Sequence, residues 1–217
     1  MRKIAACLIL LLLAWLSNRA YGQNCTLSGT SAWSEHLKNV IADCDNRYTS
    51  PNGKLFLLID AEGKIQVSDA ASKTQMQVLS HAVEPPAMVS WSPSSVAFFI
   101  NDGEGSGMAS TFRLFLIKND RVIEDKTVER KAVSVYRDEM KCDSVAADPN
   151  VWGIGWSPDG TSFHLLIQAT VNSPCGKPGS FISMTIGLAN GSILERLPEE
   201  ATKVRFQSLL PRELYSK

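Results

Sequence analysis

Apolar residues occur along this chain first as one unbroken run, then at helical spacing, then with a period of two. Ile4 to Leu16 reads IAACLILLLLAWL. Trp33, Leu37, Val40, Ile41 and Cys44 predict an amphipathic helix over 32–44, with Ser31 placed to cap it. Beyond that point short apolar or alternating runs predict strands. Leu55–Asp60 and Ile65–Asp69 flank Glu62-Gly63-Lys64, and Ala87–Trp91 and Val96–Asn101 flank Ser92-Pro93-Ser94-Ser95. Phe112–Lys118 and Arg121–Asp125 flank Asn119-Asp120, a hairpin signal. Val151–Trp156 and Ser162–Ala169 flank Ser157-Pro158-Asp159-Gly160, and Phe181–Leu188 and Ser192–Leu197 flank Ala189-Asn190-Gly191. Glu199–Leu210, after Pro198, predicts a short C-terminal helix. Val128–Pro149 stays open between helix and strand, because Val133, Val135 and Met140 fit neither period. Gly103–Gly107 and Asn172–Gly179 read as loops within hairpins. The fold class is all-β, with short N- and C-terminal helices.

Two stretches repeat. Val89-Ser90-Trp91-Ser92-Pro93 leads into a strand, a loop, Thr111-Phe112-Arg113-Leu114, a turn and Val122-Ile123-Glu124-Asp125. Ile154-Gly155-Trp156-Ser157-Pro158-Asp159-Gly160 leads into a strand, a longer loop holding Cys175, then Ser180-Phe181-Ile182-Ser183, a turn and Ile193-Leu194-Glu195-Arg196. A weaker copy starts at Ser50-Pro51-Asn52-Gly53-Lys54, with Thr49 in place of the tryptophan. The WSPDG motif before an apolar strand resembles the WD40-like repeat of TolB-type β-propellers. Trp156–Gly160 matches it in full, whereas Trp91–Ser95 has Ser94-Ser95 for Asp-Gly. The resemblance covers roughly 48–197 and implies four-stranded antiparallel blades used as a scaffold or binding surface. The bland alternative is an antiparallel meander with similar turns. The three prolines stand at 51, 93 and 158. The first spacing suits one blade of about 40–45 residues, and the second suits a blade plus an insert, placed at Val128–Pro149. Three visible blades imply an open arc, a degenerate fourth blade or completion by another chain, since closed propellers usually have at least four.

The start of the chain sets the compartment. Met1-Arg2-Lys3 is basic, the apolar run is too short for the roughly 20 residues of a membrane span, and Ala20-Tyr21-Gly22 offers small residues at a cleavage site. A secretory signal cut after Gly22 is expected, with a periplasmic or secreted product. A membrane anchor is the alternative. A lipoprotein is set aside, because Cys25 follows Gly22-Gln23-Asn24. Cleavage takes three of the 22 bases and none of the 22 acids, which gives nucleic acid no electrostatic hold. No later stretch is long and apolar enough to span a membrane. The expected division is 1–22 signal, 23–47 helical segment, 48–197 repeat domain and 198–217 helical tail.

Cys7 leaves with the signal, and Cys25, Cys44, Cys142 and Cys175 remain. Four cysteines in an exported chain suggest two disulfides. Cys25 can run back along the 32–44 helix to Cys44, and Cys142 and Cys175 both belong to the third repeat, so those pairs are expected. No close ligand pair and no HExxH supports a metal, and none is expected. GxSxG, a P-loop and GxGxxG are absent; Gly103–Gly107 reads as a hairpin loop. Asp138-Glu139 and Glu199-Glu200 read as solvated pairs, Asp143 and Asp148 as acids near Cys142 without ligand spacing, and His164 as a packed or edge histidine. Trp91 and Trp156 read as anchors of the core rather than exposed binding aromatics. Asn24-Cys25-Thr26 and Asn190-Gly191-Ser192 match the glycan acceptor pattern, relevant only to a eukaryotic route.

No catalytic residue and no cofactor is assigned. The expected function is binding or scaffolding of a protein or another envelope component through the hairpin loops Asn101–Ser110 and Thr170–Gly179. In the second loop Asn172, Ser173, Pro174 and Lys177 are the candidate binding residues, because loops on a rigid sheet change without disturbing its core. The alternatives are a small secreted hydrolase, which needs acids facing one another beside His164, and a structural subunit that self-associates through its sheet edges.

Overall fold

The Ser-Pro turns are the repeating joint of the fold. In each, a serine hydroxyl holds the backbone five residues on. The Leu55 amide donates to Ser50 Oγ, that of Ala97 to Ser92 Oγ and that of Ser162 to Ser157 Oγ. The fourth position is left-handed in all three, at Gly53, Ser95 and Gly160. Asp159 tightens the last turn by accepting from Ser157 Oγ (2.6 Å), the Thr161 amide and Thr161 Oγ1. Those hydrogen bonds, the Ser157 hydroxyl first, hold its carboxyl at about 2. The turns also touch across units, since the Asn52 amide donates to Ser95 Oγ.

A computed structural model describes residues 46–84, 87–103, 110–142, 148–171, 174–211 and 214, and the backbone of 40–41. The expected signal, its cleavage site and the Cys25–Cys44 pair lie outside these. Each turn joins the first two strands of a four-stranded antiparallel meander. The first blade is β2 (Asn46–Thr49), β3 (Leu55–Ile59), β4 (Ile65–Asp69) and β5 (Gln75–Val78). The second is β6 (Ala87–Trp91), β7 (Ala97–Asp102), β8 (Thr111–Lys118) and β9 (Arg121–Asp125). The third is β10 (Asn150–Trp156), β11 (Ser162–Gln168), β12 (Phe181–Gly187) and β13 (Ile193–Pro198). A short β1 (Val40–Ile41) pairs antiparallel with β6, Val40 opposite Met88 and Ile41 opposite Ala87. The helical expectation for 32–44, and for 23–47 as a whole, is therefore corrected at β1 and at the start of β2. An open sheet edge recruits those residues in spite of their helical spacing.

The blades stack as an open arc of propeller-like units. Leu57, Ile59, Ile65 and Val67 of the first pack on Val89, Phe98, Ile100 and Phe115 of the second. The opposite side of the second blade, Ala97, Phe99, Phe112 and Leu114, packs on Phe163, Leu165, Ile167 and Met184 of the third. Among the described residues no core cluster joins the first blade to the third. With both faces covered, β7 is buried along its whole length, whereas burial alternates along β3 although its five residues are all apolar. Trp91 is buried and its Nε1 donates to the Tyr48 carbonyl, and Trp156 sits half-buried between Phe99 and Phe163.

Side-chain amides lock one blade to the next. Gln77 of β5 donates to the Val122 carbonyl and accepts its amide, at 2.9 and 3.0 Å. Asn101 of β7 does the same to Gly153 of β10, at 2.8 and 2.7 Å. Asn101 and Asp102 thus belong to a buried strand, not to the variable loop expected over 101–110. A Cβ at Gly153 would stand 2.6 Å from the Phe99 ring and 2.8 Å from the Phe112 ring. Gly153→Ala is expected to lower stability by about 1–3 kcal/mol through overpacking. Urea unfolding checks this, and an unchanged midpoint would mean that the rings move aside at little cost.

The open stretch after β9 is α1 (Thr127–Met140), a wedge between the second and third blades. Val128, Ala132 and Tyr136 form its buried stripe. Its C-cap Lys141 is left-handed, which turns the chain back so that the Cys142 amide reaches the Arg137 carbonyl. The predicted C-terminal helix is α2 (Glu199–Arg205) followed by a 3-10 turn, Gln207–Leu209.

Candidate functional site

Strand alternation sorts the connections by rim. The Ser-Pro turns and the tight turns after β8 and β12 lie at one end of the blades. The strand ends that the long connections after β7, β9 and β11 leave and enter all lie at the other. On that second rim a cleft of about 740 Å³ opens between α1 and the starts of β8 and β10. Its volume suits a small ligand or a few partner side chains.

One wall is a stripe of α1 that carries Arg130, Ser134 and Arg137, and the facing wall carries Ser110, Thr111 and Asn150. The Arg137 guanidinium pairs with Asp148 across the cleft end at 2.6 Å. Asp148 is largely exposed, so this pair orients more than it stabilises. The edge of β8 is closed by side chains where β9 stops at Asp125, opposite Leu114. There Glu129 Oε1 accepts the Phe112 amide at 2.8 Å, and Asn150 Oδ1 accepts the Ser110 amide at 3.1 Å. The backbone of this wall is thereby held, which leaves the cleft to be read by side chains.

Cys142, at the cleft end, is bonded to Cys175 with the Cα atoms 5.1 Å apart. The bridge ties the end of α1 to the β11–β12 loop. The same loop is seated a second time by Tyr136, whose hydroxyl donates to the Cys175 carbonyl at 3.3 Å. Burial pushes that phenol above its ordinary pKa. Gly176 passes so close that a Cβ there would lie 2.6 Å from the hydroxyl, and its φ of +82° is one that glycine adopts without strain.

Of the candidate loop residues, Pro174 and Lys177 are exposed on this tethered loop, and Asn172 and Ser173 lie outside the described residues. The α1 stripe of Arg130, Ser134 and Arg137 was not among the candidates. The buried spacing Val128, Ala132, Tyr136 is the signal that would have placed it. His164 lies in β11, half-buried, with Nδ1 3.1 Å from Thr185 Oγ1 and its ring against Phe206. The charges acting on it are Arg205 and Glu195, so the described residues show one acid there, not two facing each other. Glu139 pairs with Arg196, and Glu199 and Glu200 with Lys203. Among the described residues no three His, Cys, Asp or Glu side chains gather as a metal site would require. No described helix is long and apolar enough to cross a membrane.

No family model and no curated protein matches this chain. Among solved structures, two propellers align with part of this chain. The β-propeller domain of Myceliophteria thermophila Cps50 (Swd1) aligns at 10% identity and a TM-score of 0.40, over 70% of this chain and 42% of that one. The WD40 domain of Toxoplasma gondii coronin aligns at 8% identity and a TM-score of 0.35, over 70% of this chain and 34% of that one. The chain thus spans less than half of either propeller. Its own strand order and registers define three consecutive blades of four antiparallel strands, set in an open arc.

Proposed function

We propose that this chain is an exported, non-enzymatic binding or scaffold protein. Its partner, a protein or another envelope component, contacts the rim that carries the long connections. The observation that carries the reading is the gathering on one rim of a polar cleft and an exposed loop tethered by a disulfide. Rigid strands supply the frame, and the bridge lowers the ordering cost of the loop on binding. The basic and apolar start of the chain and the Cys142–Cys175 bridge both favour an oxidising destination, periplasmic or secreted. The working division is a signal at 1–22, a linking segment to 45, the blades over 46–198 and a helical tail.

The test replaces Asn172–Lys177 with Gly and Ser, sparing Cys175, and in a second variant changes Arg130 and Arg137 to Ser. Each is compared with the parent for cross-linked partner capture in the native host and for thermal stability. Loss of capture at unchanged stability is expected. Full capture by a protein carrying both sets of changes, or robust hydrolytic turnover by the purified parent, would overturn the reading. Mass spectrometry of the exported product is expected to give an N-terminus at Gln23. A membrane-bound product that retains Met1 would contradict the export reading.

A further inference from the structure

The outer face of the third blade is covered by the chain's own C-terminus. Trp152, Ile154, Leu166 and Phe181 pack under Phe206 and Leu210. Thr202, the fully buried residue of α2, bonds to Ser183 Oγ at 2.8 Å and donates to the Leu197 carbonyl at 3.2 Å. One ring in this otherwise apolar contact can take a charge. His164 meets Phe206 with ring centroids 4.5 Å apart. Opposite it on β10 is Gly155, over which Leu209 closes to 3.0 Å from the position of a Cβ.

We propose that α2 and the 3-10 turn form a pH-responsive cap, latched on the third blade while His164 is neutral and loosened when its imidazole is protonated. The geometry supplies the coupling, because the ring lies under the residue that ends α2. The charged groups that face it are Arg205 from α2 and Glu195 from β13; β10 brings a glycine and the 3-10 turn apolar side chains. The Thr185 hydroxyl can turn to accept from Nδ1–H, so that hydrogen bond survives protonation. Packing against Phe206 strips part of the imidazolium's hydration, and Arg205 repels the charge.

Burial first, and Arg205 second, hold the pKa of His164 below its ordinary value, with Glu195 opposing. A group that resists its proton when packed leaves the cap at full strength above the free imidazole value of about 6.5. Stability is then lost as the pH falls through that value towards the packed one. The segment is held on the blade by side-chain packing and side-chain hydrogen bonds rather than by a strand ladder, so it opens at less cost than the blades. Opening bares Trp152 and Phe181, an apolar sheet face available only in acid.

Hydrogen exchange of the full oxidised chain, corrected for intrinsic rates, tests this at pH about 8 and about 5, on either side of the free imidazole value. The parent is expected to lose protection over 199–210 at the lower pH while β7 and β11 keep theirs. In His164→Gln that protection becomes independent of pH. In Glu195→Gln, which keeps the histidine and removes its one attractive charge, the cap opens at higher pH than in the parent. This variant decides the matter if His164→Gln does not fold. Equal protection at both pH values in the parent overturns the proposal. So does a cap that tightens in acid, the result if imidazolium attraction to the Phe206 ring exceeds the cost of desolvation.

Discussion

Arg113→Ala is expected to lower the unfolding free energy by about 3–5 kcal/mol, a fall in Tm of roughly 10 °C for a chain of this size. The guanidinium is 8% exposed and binds Glu124 at 3.0 Å, with Asp102 at 3.7 Å. It also donates to the Ala82 and His81 carbonyls, which lie in the connection from the first blade to the second. Asp102 in turn accepts the Glu84 amide from the same connection. Removing the cation leaves two carboxylates against a low-dielectric surface and frees the connection that sets the blade angle. The loss is a penalty for uncompensated charge rather than the worth of the ion pairs, which gives a second arm to the test. Arg113→Met combined with Asp102→Asn and Glu124→Gln is expected to recover most of the stability. A triple variant as weak as Arg113→Ala would show that the guanidinium acts through packing on Phe115 instead, since its Cζ lies 5.2 Å from that ring.

Joint replacement of Cys142 and Cys175 by alanine is expected to cost about 3–4 kcal/mol, from the entropy of opening a loop whose ends are 33 residues apart. Alanine is used because Cys175 is 1% exposed, and a serine would bury a hydroxyl there. Denaturant unfolding of parent and variant, with the parent also measured after reduction, gives the difference. Equal stability in all three would mean that Tyr136 and Gly176 seat the loop unaided and the bridge adds nothing. The bridge also bears on binding, because without it the end of α1 and the Pro174–Lys177 stretch are no longer held together beside the cleft.

Much of the fold was legible because its signals are local. The Ser-Pro turns carry their own chemistry in a hydroxyl, a left-handed position and a following apolar strand, and three of them mark three blades. Ten strands follow from period two between such turns. Three more escaped: β1, which the spacing read as helix, and β2 and β5. Asn46–Thr49 and Gln75–Val78 each have a single buried residue or none, so their pairing is fixed by neighbouring backbone and not by an apolar pattern. The helix α1 was obscured because Val133, Val135 and Met140 are only partly buried and blur the stripe of Val128, Ala132 and Tyr136. The candidate loop was placed from its prolines and Cys175. The cleft beside it was not, because Arg130 and Asn150 are 20 positions apart and come together only when α1 wedges between two sheets.

By itself, then, the sequence determined what short-range physics controls: the turns, the strand periods, the repeat and the choice of Cys142 and Cys175 as partners within one unit. The tertiary structure alone decided which side chains face each other across blades. Asn101 on the Gly153 backbone, Arg113 against the 81–84 connection and His164 beneath Phe206 are contacts between residues distant in the chain. Their geometry depends on how twisted sheets stack and on where a wedge helix holds them apart, which no local pattern encodes.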